Sequence, residues 1–208
     1  MKDYYICIGG KKIEFTEEQV AKLCGAVSGE TVVETGVKLS TLGEGETFKV
    51  GEHEFIVLEH LEGNTAVILK NLLYTDKEFG ENNNYADSDV DTICNEFGDK
   101  IKGIVGADNL VEHIVDLTSD DGLKDYGTIH RFMSLITADM YRRYVAVLDE
   151  HKIDAWWWLA TPFSTPRHDD SDWVKCVSPH GYVDCNDYDF SYGVRPFCIL
   201  KSNIFVSK

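Results

Sequence analysis

Three arrangements in this chain place reactive side chains at spacings that chemistry uses. Asp87-x-Asp89-x-Asp91 has the alternating carboxylates of a calcium loop, but its sixth position is Thr92 where such loops need Gly, and its twelfth is Gly98 where they supply a Glu. N-capping and negative charge in a first helical turn account for these acids. His168-Asp169-Asp170-Ser171-Asp172 gathers oxygen ligands in one run, so Asp169, Asp170 and Asp172 are the metal candidates. The competing reading is a solvated acidic loop, because a hard cation needs six or more converging oxygens. No cofactor is otherwise expected, and calcium is the ion that such a loop would take. Cys176 and Cys185 flank Pro179-His180-Gly181, and with His180-Gly181 as a two-residue hairpin loop they fall directly opposite each other, close enough to bond in an oxidising compartment. The sequence contains no Gly-x-Ser-x-Gly, P-loop, dinucleotide fingerprint or His-Glu-x-x-His, which leaves the common enzyme classes without their usual supports.

What the residues offer instead is contact chemistry. Between Pro162 and Gly193, the side chains of Phe163, Arg167, His168, Asp170, Trp173, His180, Tyr182, Asp184, Asn186, Tyr188 and Phe190 combine rigid rings with short polar groups, the composition of paratopes. Alternation places Tyr182, Asp184 and Asn186 on one face, with Val183 and Cys185 inward. This surface is expected to bind a protein or a glycan through aromatic hot spots.

Two apolar runs must hold it in place. Trp156-Trp157-Trp158-Leu159-Ala160-Thr161-Pro162 precedes it and Gly193-Val194-Arg195-Pro196-Phe197-Cys198-Ile199-Leu200 follows it. As a strand, residues 155–159 put Trp157 and Leu159 on one side and Trp156 and Trp158 on the other; one pair is core, and the other either packs beneath loops or reaches a ligand. Arg195 is expected to be structural, its guanidinium bonding loop carbonyls or a carboxylate. Gly193 to Leu200 reads as a final strand, with Pro196 at an edge or a bulge. Trp157, Trp158, Pro162, Gly193, Arg195 and Pro196 are therefore framework residues.

Upstream, Tyr4 to Ile8 and Lys11 to Phe15 flank Gly9-Gly10 as a hairpin. Thr16 then caps a helix with Gln19 as its capping-box partner, and Val20, Leu23 and Cys24 make its apolar stripe before Gly25. Residues 1–42 thus form a hairpin-helix extension and a connection, and residues 43–208 the main domain; residues 1–27 can mediate oligomerisation or attachment, or pack against that domain. Thr47 to Val50, Glu54 to His60 and Thr65 to Leu69 alternate as a three-stranded meander. Lys77 to Asp87 is a polar, Asn-rich loop. Ser88 caps a helix to about Lys102 that buries Val90, Ile93, Cys94, Phe97 and Ile101, and Thr137 to Leu148 is a second helix.

The balance of 36 acidic against 20 basic residues, a formal charge of −16, repels nucleic acid and disfavours anionic membranes, so partners are expected to be neutral or basic. Such charge reports solubility first. The sharper reading is an acidic intracellular inhibitor that occupies a basic nucleic-acid-binding site on a host protein. No run approaches the roughly 18 apolar residues of a membrane span, and the start lacks the apolar region of a secretory signal. A cytoplasmic location, or assembly into a particle, is the expectation. The six scattered cysteines form no C-x-x-C pair and are expected to be free thiols.

The order of strand meander, Ser-led helix, Thr-Ala-led helix with Tyr141 and Tyr144, Trp157-Trp158-Leu159-x-x-Pro162, Gly181-centred hairpin and terminal Gly193-Val194-Arg195-Pro196 resembles a domain family of unknown function common in gut Firmicutes and their phages. That family's usual signature is W-W-L-R-S-P followed by G-V-R-P. The same ending is similar to the variable proteins of diversity-generating retroelements and, more distantly, to the formylglycine-generating-enzyme branch of the C-type-lectin-like fold. The resemblance covers roughly residues 45–201. Ala160 and Thr161 stand where the family has Arg and Ser, so any ion pair of that Arg is absent. The resemblance implies an α+β, C-type-lectin-like domain with antiparallel strands and two main helices, and non-enzymatic recognition associated with phage or prophage. It also suggests a third reading, because formylglycine-generating oxidases rely on a cysteine pair; the motif around Cys176 and Cys185 does not match theirs.

Overall fold

Alternation around Gly9-Gly10 produces the expected hairpin: β1 (Tyr4–Ile8) pairs antiparallel with β2 (Lys11–Phe15), Tyr4 opposite Phe15. The computed structural model describes residues 4–8, 11–16, 19–20 and 36–208, so the turn itself lies outside the described residues. Thr16 N–H donates to Gln19 Oε1 at 2.9 Å and Gln19 N–H to Thr16 Oγ1 at 3.3 Å, the reciprocal capping box. Leu23, Cys24 and Gly25, on which the rest of the expected helix falls, lie outside the described residues. The Tyr5 ring packs on Phe205 with centroids 5.4 Å apart, which seats the hairpin against the C-terminal end of the body.

Residues 37–42, part of the expected connection, pack with the body. β3 (Val37–Lys38) pairs with Phe205–Val206, and Leu39 and Leu42 are buried in the main core. The meander follows as β4 (Thr47–Val50), β5 (His53–Leu61) and β6 (Asn64–Leu69), turning at Gly51 and Gly63, where φ is positive. After β7 (Tyr74–Lys77) and a 3-10 turn at Tyr85–Asp87, Ser88 caps α1 (Asp89–Val105), its Oγ accepting from Asp91 N–H at 3.1 Å. Val90, Cys94, Phe97 and Ile101 form the buried stripe. Residues 106–134 carry four short strands that local pattern does not announce: β8 (Leu110–Val111), β9 (His113–Asp116), β10 (Thr128–Arg131) and β11 (Met133–Ser134). α2 (Ala138–Glu150) starts at Thr137, whose Oγ1 accepts from Met140 N–H at 3.2 Å. The chain ends with β12 (Trp157–Pro162), β13 (Trp173–Val177), β14 (Val183–Asp187), β15 (Tyr192–Val194), β16 (Phe197–Lys201) and β17 (Phe205–Val206).

The architecture is α+β, with two main sheets. One runs β11-β16-β6-β5-β4, with β8 beside β16; the other runs β14-β13-β12-β15-β7. Among the described residues, strand pairing is antiparallel except between β12 and β15. β5 and β6 are buried on both faces, so Val57, Val67 and Leu69 join the cluster beneath α1, and Ile56, Leu58 and Ile68 join the cluster with Tyr141, Tyr144 and Leu148 of α2. The expected final strand Gly193–Leu200 is corrected: it is two strands in two sheets, divided at Arg195-Pro196. Pro196 has no N–H for a ladder, and the Arg195 side chain takes up carbonyls at the joint instead. Among the described residues no helix is long and apolar enough to cross a membrane.

Candidate recognition surface

β12 divides its side chains as alternation requires. Trp157 and Leu159 enter the α2-side core, whereas Trp158 enters the α1-side core with Trp156 packed beside it, so both faces are core at Trp157 and Trp158. Trp158 Nε1 donates to the Lys77 carbonyl at 2.8 Å, which satisfies the indole where it is buried. Thr161 Oγ1 accepts from Ala138 N–H at 2.9 Å and so ties the end of β12 to the start of α2. Pro162 is buried, and Gly193 N–H donates to Trp156 O at 2.8 Å. A Cβ on Gly193 would overlap the Leu72 methyls and come within 3.0 Å of the Trp156 carbonyl, so close packing favours glycine here. Arg195 is 1% exposed, donates to the carbonyls of Leu69 (2.9 Å), Lys70 (3.2 Å) and His151 (3.4 Å), and has no carboxylate partner among the described residues. Burial pulls its pKa down to about 10.

The expected opposition of Cys176 and Cys185 is corrected. Ser178 N–H donates to Tyr182 O at 3.0 Å and Gly181 N–H to Ser178 O at 2.9 Å, so the loop is the three residues Pro179-His180-Gly181. Gly181 takes φ +87°, and its carbonyl accepts from Tyr141 Oη at 2.6 Å. One extra loop residue shifts the register by one: Cys176 faces Asp184, and Cys185 faces Lys175. The two thiols therefore point to opposite faces of the sheet. Cys176 is buried and its pKa is pushed up to about 12, chiefly by desolvation, which disfavours a thiolate.

The eleven candidate contact residues do not form one surface. Register puts Tyr182, Asp184 and Asn186 on the α1-side face of the sheet, with Cys176 and Val174. There the rings join in series: Tyr182 to Trp156 (centroids 5.9 Å), Trp156 stacked on Tyr192 (5.5 Å), and Tyr192 to Phe190 (6.4 Å). Asn186 donates to the Tyr192 hydroxyl. The two ends of this ribbon, Tyr182 and Phe190, are 52% and 51% exposed. Phe163 and Trp173 form a separate exposed pair, 6.4 Å apart, on the side of Lys175. His180 is exposed in the hairpin loop, and Tyr188 is half-buried against the core.

Arg167 and His168 are occupied within the chain. Arg167 binds Asp125 and His168 Nδ1 lies 2.9 Å from Asp121 Oδ2. Asp121 also accepts from the hydroxyls of Ser119 and Ser164, which hold its carboxyl well below the usual range, with His168 adding to the effect. Thr165 Oγ1 donates to Asp125, and Arg142 and Lys175 flank Asp120. At the centre, buried Asn83 donates from Nδ2 to the carbonyls of Ser164 and Trp173, each at 3.1 Å, and accepts from Tyr126 Oη at 2.7 Å. The acidic loop 119–126 is thus clasped to residues 163–173. Sequence reasoning passes over this clasp, because its halves are some forty or more positions apart and the only local signals are the Asn run at 82–84 and the turn at Asp121-Gly122.

Asp169, a non-glycine residue with positive φ (54°), and Asp172 are exposed, and Asp170 accepts from Asp172 N–H. Among the described residues no group of three or more His, Cys, Asp or Glu side chains is arranged to hold a metal ion. No protein-family model, curated protein or solved structure matches the chain.

Proposed function

We propose that this protein is a non-enzymatic recognition module of C-type-lectin-like type, and that the ring ribbon from Tyr182 through Trp156 and Tyr192 to Phe190 is its contact surface for a protein or glycan. The observation that carries the reading is the ribbon's construction: two half-exposed rings stand on two inner rings that are already stacked and packed against the core. Rings held in this way lose little conformational freedom on binding, which is how aromatic anchors become hot spots. The lectin-like assignment is supported by the order of meander, two capped helices, Trp-rich strand, hairpin and Arg195-Pro196 joint. The division of the candidates narrows the surface, leaving Arg167 and His168 to the clasp and Tyr188 to packing.

The test is capture from host lysate and envelope fractions, with a glycan array beside it, using wild type and a Tyr182→Ala/Phe190→Ala variant. A ligand that is retained by wild type and lost by the folded variant is the expected result. Equal capture by both, or a variant whose thermal unfolding collapses, would remove the ribbon as the contact surface.

A further inference from the structure

The ribbon ends at Phe190 beside a concavity of about 470 Å³ lined by Asp76, Lys77 and Glu78 of β7 and its exit, Asp89 and Glu96 of α1, and Ser191. Ser191 joins the two features, since Phe190 precedes it and Tyr192, which follows it, pairs with Lys77. Asp89 is explained by its place in a first helical turn. Asp76, Glu78 and Glu96 are not: none has an ion-pair partner among the described residues, and Lys77 directs its Nζ to the Tyr74 ring, 5.0 Å from the centroid. Several other acids are matched within the chain, Asp91 with Arg131, Asp120 with Arg142 and Lys175, and Asp125 with Arg167. The four carboxylates around this hollow outnumber its one lysine, whose ammonium is turned to a ring; they repel each other, and a bound cation relieves that repulsion.

We propose that the occupant of this surface is a cationic protein segment, with Arg or Lys side chains in the acidic concavity and their stems and neighbours across Phe190 and Tyr192. Guanidinium or ammonium groups complement the carboxylates and are drawn to ring faces, and their alkyl stems cover apolar surface. A phosphate-bearing ligand meets like charge here, and a free polyamine satisfies the acids while leaving the rings uncovered. The inference rests on the recognition reading and names its class of partner.

The test is fluorescence anisotropy of a labelled Arg/Ser peptide and a Glu/Ser peptide of equal length, at low and high salt, with the full chain. The Arg/Ser peptide is expected to bind in a salt-sensitive way and the Glu/Ser peptide not to bind. Asp76→Asn/Glu78→Gln/Glu96→Gln is expected to weaken binding about tenfold, and Phe190→Ala a few-fold, about what one exposed cation–π contact contributes. Glu62→Gln/Asp108→Asn/Asp154→Asn, which removes the same charge at other exposed positions, should stay within about twofold of wild type. Thermal unfolding of every variant checks that it folds. An equal loss in this control would make the attraction a property of net charge and overturn the proposal, as would indifference to Phe190→Ala. A partner captured through the rings while neither peptide binds would leave the recognition reading standing and remove the cationic occupant.

Discussion

The guanidinium of Arg195 lies 5.3 Å above the ring of Trp157, so the two apolar runs that frame the contact surface meet at one buried cation. Its donors go to the carbonyls of Leu69, Lys70 and His151, where the chain passes between the two main sheets. A planar fork can reach three carbonyls at once and still stack on an indole, which an ammonium cannot.

Arg195→Ala is therefore expected to lower stability by about 3–5 kcal/mol, since it empties a buried site and leaves carbonyls without donors. Arg195→Lys should cost about 1–3 kcal/mol, because it restores the charge without the fork. Urea denaturation checks both; a lysine variant as stable as wild type would show that charge alone matters here.

Asn83 is the pivot of the acidic clasp, with its amide shared between Ser164, Trp173 and Tyr126. Asn83→Ala should destabilise the protein by about 2–4 kcal/mol. Amide hydrogen exchange should speed up in residues 119–126 and 163–173 before it does in α1. Uniform loss of protection would mean that the clasp is not a separate unit.

His113 is buried, with Nε2 2.9 Å from Ser134 Oγ and its ring edge-on to Phe197, and desolvation lowers its pKa from 6.5 to about 4. The neutral ring is the folded form. Between these values only the unfolded chain takes up the proton, so the contribution to stability is full above pH 6.5 and falls as pH drops toward 4, by about 3 kcal/mol over the window. Denaturation at pH 7 and at pH 4.5 should show this fall in wild type and a smaller one in His113→Gln. An identical fall in both would place the acid sensitivity in other groups.

Gly193→Ala should cost about 1–3 kcal/mol through overpacking, because the new methyl meets Leu72 on one side and the Trp156 carbonyl, 3.0 Å away, on the other. Leu72→Ala in the same chain should recover part of a loss that the backbone contact keeps from being complete. Full stability in Gly193→Ala alone would mean that the Leu72 side chain swings aside and the Trp156 carbonyl gives way at no cost.

Local chemistry made several elements legible. The hydroxyls of Thr16, Ser88 and Thr137 cap where their spacing says they must, and alternation divides Trp157 from Trp158 and sets the three strands of the meander. These features depend on neighbours within a few positions, so sequence by itself determined them. Register, sheet membership and the halves of the clasp depend on contacts between distant residues. One residue more in the loop at Pro179-His180-Gly181 moved Cys185 from Cys176 to Lys175, a change invisible to alternation because either register preserves the hairpin. The break at Arg195-Pro196 follows from carbonyls that only the packed sheets bring within reach. Tertiary structure likewise decided which aromatic residues form the ribbon, since a ring's face is set by register and its exposure by what other segments cover.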